Sequence, residues 1–376
     1  MQPGEIDALA GELAVIFART AAANDRSGAP PLASIEAARE RGATALTVPA
    51  ALGGWGANLE VFARWQERIA SGDGSTALVL AMHGMLIGGE AESGLWPADA
   101  FAELCDAAVT RGALVNAAAT EPGAGSPSHG GLPTTVAVPM GAGWSLTGRK
   151  SYTTGAPLLS FLRVAARVDG DGEPYSSRFL VRLPAPGVSI LDDWDPVGLK
   201  PSAGQDILLQ DTPGTHLYRE DQRGCEGNVW FQVAVAATYL GIGQAASHAA
   251  FDYARDHAPP ALGKPIADID AVRLRLGRMR AELLVAQRFL MSVCHEWTQT
   301  PGEARPALVA EVSLAKVVAT NAAASAADQA MRIAGAAGLS RSLPFERFVR
   351  ETRAGLAHPP VDDVAHLVIA AELLEG

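Results

Sequence analysis

The chain has 376 residues, 48 % hydrophobic and 19 % charged, the balance of a folded globular protein long enough for two or three domains. Its formal net charge of -11 argues against nucleic acid as the main partner, because phosphate backbones are met by basic faces. Three cysteines (Cys105, Cys225, Cys294) lie far apart, without CxxC or a histidine pair at ligand spacing, so no disulfide framework and no metal site is expected, and a reducing cytoplasm is the expected compartment.

The N-terminal stretch MQPGEIDALAGELAVIFART reads as an acidic amphipathic helix rather than a signal peptide, since it lacks a basic start and an unbroken apolar run. Further amphipathic stretches cover 34–41, 58–71 and 97–111, with a Pro- and Gly-rich loop at 47–58. From 116 to about 212 the pattern changes to short β-type runs such as TTVAVPM, SFLRVAARV and DILLQD, separated by GAG, DGDGEP and APG turns. Helical periodicity returns after 226. The apolar run VWFQVAVAATYLGIGQAAS (229–247) is interrupted by Gln232 and Gln244 and has no basic flank, so a buried core helix is expected there. Residues 271–293 repeat apolar side chains at helical spacing, and 308–335 is rich in alanine and serine, which lets helix axes approach closely. The expected order is α, β, α, with an N-terminal all-α domain (1–115), a central β-barrel (116–222) and a C-terminal helical bundle (223–376). A crevice between such layers is the expected place for a ligand.

Two segments carry the chemistry of the middle region. AAATEPGAGSPSHGG (117–131) opens it, with Pro122, Gly123 and Gly125 favouring a turn of exposed N–H groups that can hold an anion, and Ser126 adding a hydroxyl. On its own such a loop is as well explained as an entry to the barrel. TEPGAGS together with TGRKSYTTGAP (147–157) resembles the flavin-binding signature of the acyl-CoA dehydrogenase superfamily. VPAALGGWG (48–56), LGIGQAA (240–246) and RIAGAAGLSRSLPFERFVRET (332–352) are similar to further motifs of that superfamily, in the same order.

The resemblance implies an α+β fold of N-terminal helical domain, central β-barrel and C-terminal four-helix bundle. It implies FAD as cofactor, with reduced FMN as the alternative. Thr120 and Thr154 are then expected to hydrogen-bond the flavin ring, Gly123 and Ser126 to meet its phosphates, and Tyr152 to cover one face. Gly335 is expected where a neighbouring subunit approaches the diphosphate, although the second glycine of that pair is Ala336 here. The family's RxxFGxxI stretch is also altered, to Pro259, Leu262, Gly263 and Ile266.

The residue that removes the substrate's α-proton in this family is a glutamate, and both of its usual positions lack one. They hold Pro359 in one arrangement and Phe231 or Gln232 in the other. Asp362 and Asp363, just beyond, read as the cap of the last helix. RETRAGLAHPP (350–360) instead resembles the dibenzothiophene-monooxygenase branch, in which a histidine stands beside the flavin. That resemblance makes His358 the candidate catalytic residue, donating or relaying a proton near neutral pH to a C4a-hydroperoxyflavin. His83, His129, His257 and His366 read as surface or packing residues. Trp230, Phe231 and Tyr239 are expected to roof the substrate pocket.

The expected function is a flavoprotein oxidoreductase, monooxygenase-like. The alternatives are an acyl-thioester dehydrogenase with a relocated base and a non-catalytic flavin-binding homologue. Expected partners are a small-molecule or acyl-CoA substrate, further copies in a homotetramer, and a flavin reductase or electron-transfer flavoprotein, with no nucleic acid and no membrane.

Overall fold

A computed structural model of the chain describes residues 1–123, 131–170 and 172–375. The N-terminal region is formed by α1 (Pro3–Ser27), α2 (Leu32–Glu40), α3 (Leu59–Ala70), α4 (Gly74–Ser93) and α5 (Ala98–Arg111). Four of these fall on the amphipathic stretches. The exception, α4, is buried on nearly every side from Gly74 to Glu90, so it has no polar face from which a period could be read. Its start is set by Asp73, whose carboxylate accepts from the N–H groups of Ser75 and Thr76.

The middle region holds β1 (Val115–Ala118), β2 (Val136–Met140), β3 (Gly143–Lys150), β4 (Phe161–Val168), β5 (Tyr175–Arg182), β6 (Val188–Ile190) and β7 (Ile207–Arg219). Pairings run β4–β2–β3–β7–β5 and return from β5 to β4, closing a ring. β1 adds to β4 in parallel and β6 to β7 antiparallel, outside the ring. Alternate residues of β4, Leu162, Val164, Ala166 and Val168, enter one interior cluster with Phe179, Ile207 and Leu209, as a period of two requires.

Five helices follow: α6 (Glu226–Asp256), α7 (Asp270–Gln299), α8 (Val309–Ala334), α9 (Phe345–Ala357) and α10 (Asp362–Glu375). The apolar run that could have been taken for a membrane span is the buried middle of α6. Small residues bring the axes together: a Cβ on Gly243 of α6 would press on Ala323 of α8, and one on Gly241 would press on the backbone of α3 at Glu67. N-terminal and C-terminal helices share one hydrophobic core, while the barrel interior forms a second. Arg350 of α9 pins three regions, donating to Asp25 of α1 at 2.7 and 3.0 Å, to Glu346 at 2.6 Å and to the Val197 carbonyl at 3.1 Å.

Candidate functional site

Two exits of the barrel meet on the side that faces the helices. Ser151 N–H donates to the Thr120 carbonyl at 2.9 Å, and the Asn116 side-chain amide donates to the Thr154 carbonyl at 2.9 Å. The two threonines expected at a flavin ring therefore sit on adjoining segments. Between them Tyr152 is 69 % exposed and holds φ +54°. Leu199 and Ala203 also have positive φ, and their segment is bonded to the same loop, Gly155 N–H to Ser202 at 2.8 Å and Ala156 N–H to Ala203 at 3.0 Å. A left-handed backbone costs a non-glycine residue about 1–2 kcal/mol, so three such residues at one place mark a conformation that the surroundings impose.

Trp194 stands edge-on to Tyr152 with ring centroids 5.9 Å apart, its indole N–H given to the Lys200 carbonyl at 2.9 Å. Gly204 lies under that indole, and a Cβ there would come within 2.7 Å of it. The result is an exposed aromatic wall on a braced loop. Gly123, at φ +78°, begins the turn of the anion loop, and Ser126 lies outside the described residues.

Glu121 anchors this loop from beneath. Its carboxylate accepts from Lys150 Nζ at 2.6 Å and from Thr134 and Thr135. Burial opposes the charge on both partners. The converging donors outweigh it at Glu121 and hold the carboxyl at about 2, while Lys150, with a single anionic partner, is lowered by burial to about 8 and still carries its proton at pH 7. Glu121 is thus occupied with structure.

The second group of residues lies where α9 ends. His358 Nδ1 is 2.9 Å from the Ala354 carbonyl and 3.2 Å from the Tyr239 hydroxyl. A carbonyl oxygen only accepts, so Nδ1 carries the hydrogen in the neutral ring and Nε2 keeps its lone pair. Among the described residues Nε2 has no hydrogen-bond partner. Burial pushes the imidazole down to about 4; the bond to Ala354 opposes this, and the charge of Lys316 adds to it. At neutral pH His358 is therefore uncharged and presents an acceptor at Nε2, because its one hydrogen is committed to the backbone.

Tyr239 lies across Gly355, where a Cβ would approach its Cγ to 2.7 Å, and Phe231 flanks the imidazole at 6.3 Å between centroids. Trp230 points elsewhere on α6, packed between Phe62 of α3 at 5.2 Å and Gly88 of α4, and so forms the floor between helices. Gly335 closes α8 at φ +61°, ψ −140°, exposed and in a region of backbone space that belongs to glycine. Asp362 accepts from the Asn321 amide of α8 at 2.7 Å, so its carboxylate faces that helix. The buried carboxyl near Tyr239 is Glu351, raised to about 8 chiefly by burial, with Arg347 3.8 Å away and Asp73 of α4 nearby.

Glu351 and Lys316 were both missed in the sequence. Lys316 has a visible signal, as a charged residue in the middle of an alanine-rich helical run. Glu351 has none, because only the packing of α9 reveals that it is buried. No three His, Cys, Asp or Glu side chains among the described residues are grouped to hold a metal.

Comparison with known proteins bears on what this arrangement is for. The model of the acyl-CoA dehydrogenase middle domain matches residues 116–212, and that of the acyl-CoA dehydrogenase C-terminal domain matches 230–373. YdbM of Bacillus subtilis (strain 168), named for the same family, is 37 % identical over 370 residues, covering 97 % of this chain and 96 % of that protein. Among solved structures, TdsC from Paenibacillus sp. A11-2 in complex with FMN and indole superposes with a TM-score of 0.89 at 24 % identity, covering 99 % of this chain and 98 % of that one. Butyryl-CoA dehydrogenase from Megasphaera elsdenii does so with a TM-score of 0.86 at 21 % identity and 98 % coverage of both. At those identities the two structures speak for the fold. The length and identity of the match to YdbM, with both domain models in register, show that the chain belongs to the acyl-CoA dehydrogenase family of flavin-dependent oxidoreductases, whose cofactor is FAD.

Proposed function

We propose that this family member is a monooxygenase-like flavin enzyme rather than an α,β-dehydrogenase. The described residues fit a flat aromatic cofactor at the barrel rim. Tyr152 would give it an apolar face, and Thr120 and Thr154 would bond its ring. The loop from Thr120 through Gly123 to Ser126 would take its phosphates, and Gly335 would face a neighbouring copy in a homo-oligomer. Bound there, reduced FAD or reduced FMN (the latter delivered by a separate reductase) would supply electrons to dioxygen.

The observation that supports this reading is the state of His358. Removing an α-proton from a thioester calls for a base of substantial strength, and an imidazole pushed down to about 4 is a weak one. A lone pair at Nε2 on a ring held by Ala354 suits a different task, accepting a hydrogen bond from a protonated oxygen, with Phe231 and Tyr239 flanking the ring. The aromatic side chains there favour a cyclic, weakly polar substrate.

A second reading remains because YdbM, at 37 % identity, bears the name of a dehydrogenase. Its relocated base would be Glu351, since the imidazole of His358 is too weak and the Asp362 carboxylate is bonded to Asn321. One pair of measurements decides. Protein loaded with flavin and reduced anaerobically is mixed with dioxygen, and peroxide release is timed against loss of the reduced-flavin spectrum. A clear lag is expected, shortened in His358→Ala. Separately, oxidised protein is mixed with butyryl-CoA without oxygen, and no bleaching is expected. Fast bleaching overturns the monooxygenase reading in favour of the second.

A further inference from the structure

Lys316 is 0 % exposed, an unusual state for a lysine, and its Nζ donates to the Pro360 carbonyl at 3.0 Å. Among the described residues this neutral oxygen is its hydrogen-bond partner. An ammonium is costly to bury, and a methionine would fill the same space without that cost. The position explains what the charge is for. Gly243 of α6 touches Ala323 of α8. Lys316 lies two turns before Ala323 on the same face of α8, and Tyr239 lies one turn before Gly243 on the same face of α6. Lys316 and Tyr239 therefore face one seam, and the turn of His358, Pro359 and Pro360 closes over it. From α8, Lys316 holds the turn at Pro360 while Asn321 holds the start of α10 at Asp362.

We propose that Lys316 is a positioning residue for His358: bonded to the Pro360 carbonyl, its ammonium fixes the turn so that the imidazole keeps Nδ1 on Ala354, and its charge opposes that of an imidazolium beside it. The role assigned to the ring rests on the proposed function, but the coupling between the two side chains does not. Tyr239 on α6 and Lys316 on α8 act on His358 directly, Glu351 on α9 stands behind Tyr239, and Asp362 on α10 stands by Lys316. Burial holds Tyr239 and Glu351 in their protonated forms around pH 7, and Asp362 is engaged by Asn321. A neighbouring cation disfavours the imidazolium, so removing the Lys316 charge moves the His358 midpoint up.

The test is deuterium exchange at the histidine ring carbon, followed by mass spectrometry against pH and read on His358 by fragmentation, in the full chain without added flavin. Wild type should titrate well below the free imidazole. Lys316→Gln, which keeps an N–H for Pro360 and loses the charge, should shift the midpoint up by about one unit, a tenfold change. Lys316→Met should shift it at least as far, and Lys316→Arg should restore the wild-type value. Thermal melting establishes that each variant is folded; if Lys316→Met is not, Lys316→Gln decides. A folded Lys316→Gln whose melting point drops while its His358 midpoint stays put has lost only packing, and that result overturns the proposal. So does a wild-type midpoint close to that of free imidazole. If the oxygen and butyryl-CoA measurements fail while the midpoint shifts, the coupling stands and only the reading of the reaction is lost.

Discussion

The seam between α4 and β1 and the break between α9 and α10 each hold a histidine of the same low basicity. His83 and His358 are both pushed down to about 4, burial being the main cause in each. They differ in one nitrogen. His83 Nε2 lies 2.8 Å from the Thr44 carbonyl and its Nδ1 accepts from Val115 N–H at 3.3 Å, so both ring nitrogens serve the fold. Both contacts of His358 fall on Nδ1, and Nε2 is left over. Depressed basicity accompanies burial of any kind; a ring held firmly by one nitrogen with the other unused is the feature that suits chemistry.

Four experiments press on that distinction. The largest effect is expected for His358→Ala, with substrate oxygenation falling about 100-fold or more while the melting temperature stays near wild type; equal loss of both would make His358 a packing residue like His83. His83→Ala should do the reverse. It strands the Thr44 carbonyl and the Val115 N–H, costing about 2–4 kcal/mol in chemical denaturation, with flavin affinity unchanged.

Acid provides the third test. The folded value of His83 lies below its unfolded value, so its contribution to stability is complete above about pH 6.5 and is lost as pH falls toward 4. The stability advantage of wild type over His83→Ala should therefore be larger at pH 6.5 than at pH 5, by about 1.5 kcal/mol. The smallest effect belongs to Gly355→Ala. Its Cβ would meet the Tyr239 ring, costing about 1–2 kcal/mol after the gain in helix propensity, and should move the ring-exchange rate of His358 although His358 itself is unaltered.

Much of the architecture could be read from periodicity. Helices with one wet face, such as α1, α3 and α5, and strands whose alternate residues enter the barrel, such as β4, write their surroundings into the order of residues. α4 and α6 do not, because a helix covered on all sides repeats nothing; only its length and apolar composition remain. The same limit applied to the candidate site. Tyr152, Thr154 and His358 stood out as members of recognisable strings. Their supports did not, since Asn116 meets Thr154, Ser202 meets Gly155 and Lys316 meets Pro360 across distances that no local pattern encodes. Trp230 shows the converse. It is adjacent to Phe231 in sequence, yet one residue along a helix is a 100° turn, which puts its indole against α3 and α4 instead of beside His358.

Closure of the strand ring bears on how a guest would be received. Every strand in the ring is laddered on both sides, so the rim has no open edge strand. The left-handed turns at Tyr152 and Ala203 are therefore kept by a stiff hoop, shaped before anything arrives. A planar visitor to that mould would find little left to freeze, and the free energy of its contacts would go into affinity instead of into ordering the loop.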